Sequence, residues 1–111
     1  MSNTSHRKGS RAELEAARII ALELGVDARR ALGAGRTDDT GDIWWPGQTL
    51  TIEVKNHKSI ATALRQGLDD AVREQHNAGT PYGCAMLRMH GGVWCFAQTV
   101  DQFMTMYRET L

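Results

Sequence analysis

Net charge is the first thing this chain lacks. Lysine and arginine number 13 and so do aspartate and glutamate, so no excess of either sign advertises a nucleic-acid binder. Cysteine is scarce. Cys84 and Cys95 each lie in an apolar run and read as buried, reduced thiols of an intracellular protein. No close Cys-x-x-Cys or His-x-x-x-His pair exists, so Cys84, His90 and Cys95 do not make a zinc pattern. No apolar run reaches the length of a membrane span, and the polar first residues lack a signal-peptide core. The expectation is a soluble, cytoplasmic protein with no membrane partner. Repeats and low-complexity segments are absent too. What is present suits a single domain, residues 10–111, behind a flexible polar tail at 1–9.

Ser10 with Glu13 reads as a capping box, opening a helix over 11–24 with Leu14, Ala17, Ala21 and Leu24 on one face and Ile20 beside it. Gly25 stops it. Val26 to Leu32 is a candidate first strand. Residues 33–41 are rich in glycine and aspartate and read as a loop. Asp42 to Trp45 and Thr49 to Asn56 are apolar runs separated by Pro46-Gly47-Gln48, which predicts a hairpin. Ile60, Leu64, Leu68, Ala71 and Val72 share a helical face, so a second helix is expected over 59–77, broken by Gly79-Thr80-Pro81. Tyr82 to Met89 and Gly92 to Ala97 read as strands turning at Gly91-Gly92. Val100, Phe103, Met104 and Tyr107 suggest a short closing helix. The order α-β-β-β-α-β-β-α predicts an α/β fold, a mixed sheet flanked by helices.

The chemistry concentrates in Gly41-Asp42-Ile43 and Ile52-Glu53-Val54-Lys55. Side chains alternate along a strand, so Glu53 and Lys55 project to one side. In a hairpin, Asp42 joins them at one end of the sheet. Two hard oxygen donors suit Mg²⁺. A lysine beside the metal can orient or deprotonate an attacking water. That set fits metal-dependent hydrolysis of a phosphodiester. Asp38 and Asp39 read as turn residues, with Asp39 the alternative ligand should Asp42 point inward. Basic residues precede this acidic centre, and Lys8, Arg11, Arg30, Arg36 and Lys58 can contact phosphates. Trp44, Trp45 and Trp94 read as core or interface residues.

Element order and motifs together resemble the PD-(D/E)xK nuclease superfamily, and within it the archaeal-type Holliday junction resolvases. The similarity is carried by Arg7-Lys8-Gly9-Ser10-Arg11-Ala12-Glu13, by Gly41-Asp42-Ile43, by Thr51-Ile52-Glu53-Val54-Lys55, and by the later strands, including Arg88. The resemblance implies a restriction-endonuclease-like fold. It implies that Asp42 and Glu53 bind Mg²⁺, with Mn²⁺ as a substitute, that Glu13 completes the metal environment, and that Lys55 assists the nucleophile. Glu13 thus carries two readings, helix cap and metal-site residue. Arg88 would match a DNA-contacting or site-supporting position. The implied activity is endonucleolytic cleavage of branched DNA, above all four-way junctions, in recombination and repair. Symmetric cutting of a junction by a chain with one site implies a homodimer. Leu14, where the family often has arginine, and the long acidic loop before Asp42 depart from the pattern. Two other readings stand beside this one: a restriction-like or flap-selective nuclease, and a catalytically silent DNA-binding protein of the same fold.

Overall fold

The computed structural model describes the backbone of residues 3–31 and 39–111, with side chains from residue 9 onward within those ranges. Helix α1 spans Asn3–Leu24. It begins ahead of Ser10, so part of the segment expected as a polar tail is helical. No proline interrupts that stretch, and a single Gly9 costs a helix only about 1 kcal/mol. Ser10 therefore sits inside the helix, and the capping-box reading of Glu13 falls. Strands β1 (Arg29–Arg30), β2 (Ile43–Trp44) and β3 (Leu50–Lys55) follow, then helix α2 (Ile60–Ala78), strands β4 (Tyr82–Arg88) and β5 (Trp94–Ala97), and helix α3 (Val100–Arg108). The predicted order of elements is the observed one. The first strand is much shorter than Val26 to Leu32, and Leu32 itself lies outside the described residues, as do Gly33 to Asp38 of the expected loop.

The pairing differs from expectation. β2 ladders with β1, antiparallel, with Arg30 opposite Ile43. It does not form a hairpin ladder with β3, whose partner in a three-stranded mixed sheet is β4. β3 and β4 are parallel, Glu53 opposite Ala85, with α2 as the crossover, and β4 and β5 are antiparallel. The reason lies in Asp42 and Gln48. The Asp42 N–H donates to Ile52 O at 2.8 Å, but Val54 N–H donates to the Asp42 side chain instead of a carbonyl. The Gln48 amide donates to both Ile43 O and Leu50 O, holding the two runs together. Side chains thus replace the ladder that backbone pairing would have made. Gly41 takes φ +106°, and a Cβ there would lie 2.8 Å from Thr51 Cγ2 and 3.2 Å from Ile52 O. Only glycine lets the chain approach β3 this closely.

The sheet is covered on both faces. Ala12, Ala16, Ala17 and Ile20 of α1 pack with Ile43, Trp45, Ile52, Val54, Cys84 and Met86. Leu14 and Leu24, expected inward, are exposed. The buried stripe is the alanine one, because the strands and Trp45 already supply the bulk and the helix must come close. α2 behaves alike. Its buried residues are Ala63, Gly67, Ala71 and Glu74, while Ile60, Leu64 and Val72 are exposed. A Cβ on Gly67 would meet Ala85 Cβ at 2.9 Å, and one on Gly83 would meet Ala71 O at 2.9 Å. This close helix–sheet approach brings polar groups of α2 directly over β3. Ser59 caps α2 by accepting from Thr62 N–H, and Gly79 ends it in the left-handed conformation. Both cysteines are free, Cys84 buried and Cys95 half-buried. Among the described residues, no helix is long and apolar enough to cross a membrane.

Candidate metal centre

Alternation along β3 sends Ile52 and Val54 toward α1, and Thr51, Glu53 and Lys55 toward α2. Glu53 is thereby buried beneath α2, only 6% exposed. Asp42, 4% exposed, is pinned beside it because its Oδ2 accepts Val54 N–H at 2.8 Å. The same hydrogen bond that breaks the hairpin aims this carboxylate at the cluster. Lys55 Nζ lies 3.6 Å from Glu53 Oε1. The three residues singled out from spacing therefore converge, on the α2 side of the sheet.

Two further acids join them. Asp39 and Glu74 each offer a carboxylate oxygen within 4.8 Å of those of Asp42 and Glu53, and all four residues are buried. Asp39 Oδ1 accepts Gly41 N–H at 2.8 Å, a turn contact, and Asn77 on α2 donates to Asp39 O at 3.0 Å. So Asp39 is both a turn residue and a member of the cluster, alongside Asp42 and not in its place. Glu74 was not singled out from the sequence. Its one signal there was an acid in register with Ala63, Gly67 and Ala71, the stripe of small residues. Asp70, one turn before Glu74, accepts from Lys55 Nζ at 2.7 Å and from Arg73 Nη1 at 3.1 Å. Small residues on α2 gave no hint that this face was the inner one.

Glu13 lies apart from the four. Its carboxylate accepts Arg30 Nε at 2.8 Å, although its charge is felt at Asp42. Arg30 is thus committed to an ion pair. Arg88 donates to Glu15 at 3.2 Å, and Trp94 Nε1 donates to the same carboxylate at 2.9 Å, tying β4 and β5 to α1. Arg11 and Lys58 are exposed. The side chains of Lys8 and Arg36, and Asp38 altogether, lie outside the described residues. Trp45 is buried, Trp94 half-buried and Trp44 half-exposed.

Like charges at this spacing cannot all persist without a counter-charge. Burial raises the Asp42 carboxyl to about 9, aided by the charge of Glu53 and a shared proton with it, against the Val54 N–H. Burial, then contact with Glu74, raises Glu53 to about 9 as well, and burial takes Glu74 to about 7. Among the described residues, neither buried oxygen of Glu74 has a hydrogen-bond donor. Its contact with Glu53 is a hydrogen bond only while one of the two acids keeps a proton. Lys55 behaves oppositely. Burial pushes it down, but the Asp70 hydrogen bond and the charges of Glu53, Asp70 and Asp42 outweigh burial, and the net shift is upward. It is an ammonium ion. A buried set of oxygen-only donors with orphaned lone pairs fits a hard divalent cation, which supplies the missing positive charge and displaces the retained protons. Comparisons of the chain with protein-family models, with curated proteins and with solved structures found no match.

Proposed function

We propose that the chain is a Mg²⁺-dependent endonuclease of the restriction-endonuclease-like kind, and that its substrate is branched DNA. The observation that carries this reading is the convergence of Asp42, from the segment before β2, with Glu53 of β3 in one buried carboxylate cluster, with Lys55 paired to Glu53 at its side. Asp42 and Glu53 would hold the cation, with Mn²⁺ able to replace Mg²⁺. A bound divalent cation supplies charge to phosphate oxygens and makes an adjacent water more acidic. Lys55 serves as a fixed cation. Held by Asp70 and Glu53, it orients the attacking water and offsets negative charge gathering on the phosphate. Its raised proton affinity argues against the alternative role of general base. Glu13, turned toward Arg30, serves the electrostatics of the rim in this reading.

A four-way junction is favoured over linear duplex by the motif resemblance, and it calls for two sites in a C₂ homodimer. Phe96, Phe103, Met104 and Tyr107 on β5 and α3 are all exposed, an apolar surface suited to a second copy. The test incubates pure protein and Mg²⁺ with matched junction, flap and linear duplex substrates, beside Asp42→Asn, Glu53→Gln and Lys55→Ala. Junction cleavage by wild type, lost in each variant while junction binding persists, supports the reading. Full activity in Glu53→Gln, or undiminished cleavage in excess EDTA, removes it. Sedimentation at micromolar concentration reports the dimer. A monomer that cuts linear duplex as well as junctions would leave a general nuclease.

A further inference from the structure

Asp39 and Glu74 are the members of the cluster outside the Asp…Glu-x-Lys set, and the turn contact that accounts for Asp39 has no counterpart at Glu74. Glu74 is 1% exposed, and among the described residues its oxygens have no hydrogen-bond donor besides a proton kept by Glu53. Arg73 Nη2 stands 3.7 Å from Oε2, but that guanidinium is half exposed and also serves Asp70. A glutamine or leucine would fill the same space without the desolvation cost of a buried carboxylate. The fold also goes out of its way to bring Glu74 in, through the close approach at Gly67 and Gly83. We infer that Glu74 is a direct ligand of the cation, supplied by α2, and that with Asp39, Asp42 and Glu53 it encloses a single ion.

The spacing selects one ion over two. Oxygens around a six-coordinate Mg²⁺, each at about 2.1 Å, stand about 3 to 4.2 Å from one another, and slightly more around a larger ion. The four carboxylate atoms already fall within 4.8 Å, so small side-chain shifts close the shell. Two ions about 4 Å apart would need outer ligands separated by about 8 Å. Two of the four donors come from the segment before β2, one from β3 and one from α2. Binding would therefore fasten α2 to the sheet as well as charge the site.

The inference rests on the metal-site part of the proposed function, and its test does not need cleavage. Mn²⁺ binding is titrated by the loss of its free-ion paramagnetic resonance signal, and melting is followed without metal. Wild type should bind one Mn²⁺ per chain. Glu74→Gln should bind at least about a hundredfold more weakly, since losing even an outer partner of a ligand costs about 10–100-fold. The same variant should melt higher than wild type without metal, because it removes an uncompensated buried charge. Glu74→Asp, which keeps the carboxylate on a shorter arm, should recover part of the affinity, and it serves if the amide does not fold. Wild-type affinity in Glu74→Gln overturns the ligand assignment, and two tight ions per chain overturn the single-ion site. Mn²⁺ binding by a wild type that cuts no DNA sinks the nuclease reading alone. Cleavage that survives with unaltered Mn²⁺ binding in Glu74→Gln sinks this inference alone.

Discussion

Proton retention in the cluster makes the metal-free protein unusually sensitive to base. Asp42 and Glu53 titrate near 9 in the fold and Glu74 near 7, against ordinary values of 3.8, 4.5 and 4.5. The folded state thus binds more protons than the unfolded chain between those limits, and stability must fall as pH rises. The stabilisation is full below the ordinary carboxylate range and is lost as pH climbs toward 9. One retained proton is worth about 1.4 kcal/mol per pH unit, so from about pH 5 to about pH 8 the loss is about 4 kcal/mol for even one carboxyl that stays protonated throughout. For a domain of this size that lowers the melting temperature by about 15 °C. Mg²⁺ competes with the same protons, so its stabilising shift should be small at the acid end and large at the alkaline end. Thermal melts across this range, with EDTA or with Mg²⁺, read both effects. The combined Asp42→Asn, Glu53→Gln, Glu74→Gln variant supplies the baseline and should show a flatter profile. A metal-free wild type that gains stability toward pH 8, or that parallels the triple variant, would refute the reasoning.

Gly41→Ala forces a side chain into φ +106° and against Thr51 and Ile52. It should cost at least about 2 kcal/mol in urea denaturation and weaken Mn²⁺ binding by displacing Asp42. Gly67→Ala, whose Cβ would meet Ala85 at 2.9 Å, should cost about 1–3 kcal/mol by lifting α2 from the sheet. Asp70→Asn removes the nearest charge from Lys55, so burial should lower its proton affinity and bring the alkaline limb of the cleavage profile to lower pH. An unmoved limb would mean that Asp70 only braces α2. Combined Arg11→Ala and Lys58→Ala should flatten the salt dependence of DNA binding by about 0.9 in the log–log slope per lost contact, and an unchanged slope would place DNA elsewhere.

Much of this protein was legible in the chain. Element order followed from hydrophobic period and from punctuation at Gly25, Gly79-Thr80-Pro81 and Gly91-Gly92, because these are local properties of the backbone. The meeting of Glu53 with Lys55 followed from the pleat alone. Helix faces were misjudged for one shared reason. Periodicity weighs large apolar residues, whereas α1 and α2 bury alanine and glycine so that their axes can approach a sheet that is already bulky. Leu14, Ile60 and Leu64 accordingly face out. Pairing was the other gap. The turn at Pro46-Gly47-Gln48 promised a hairpin, but the Asp42 carboxylate and the Gln48 amide took the hydrogen bonds a ladder would have used. Asp39 and Glu74 entered the cluster only through the crossover that lays α2 over β3. By itself, the sequence determined which strand carries Glu53 and Lys55, where α1 stops at Gly25, and where α2 starts at Ser59 and stops at Gly79, since neighbours along the chain settle those. Only the tertiary structure decided that four carboxylates share one buried space, since that depends on how closely a helix can settle on a sheet.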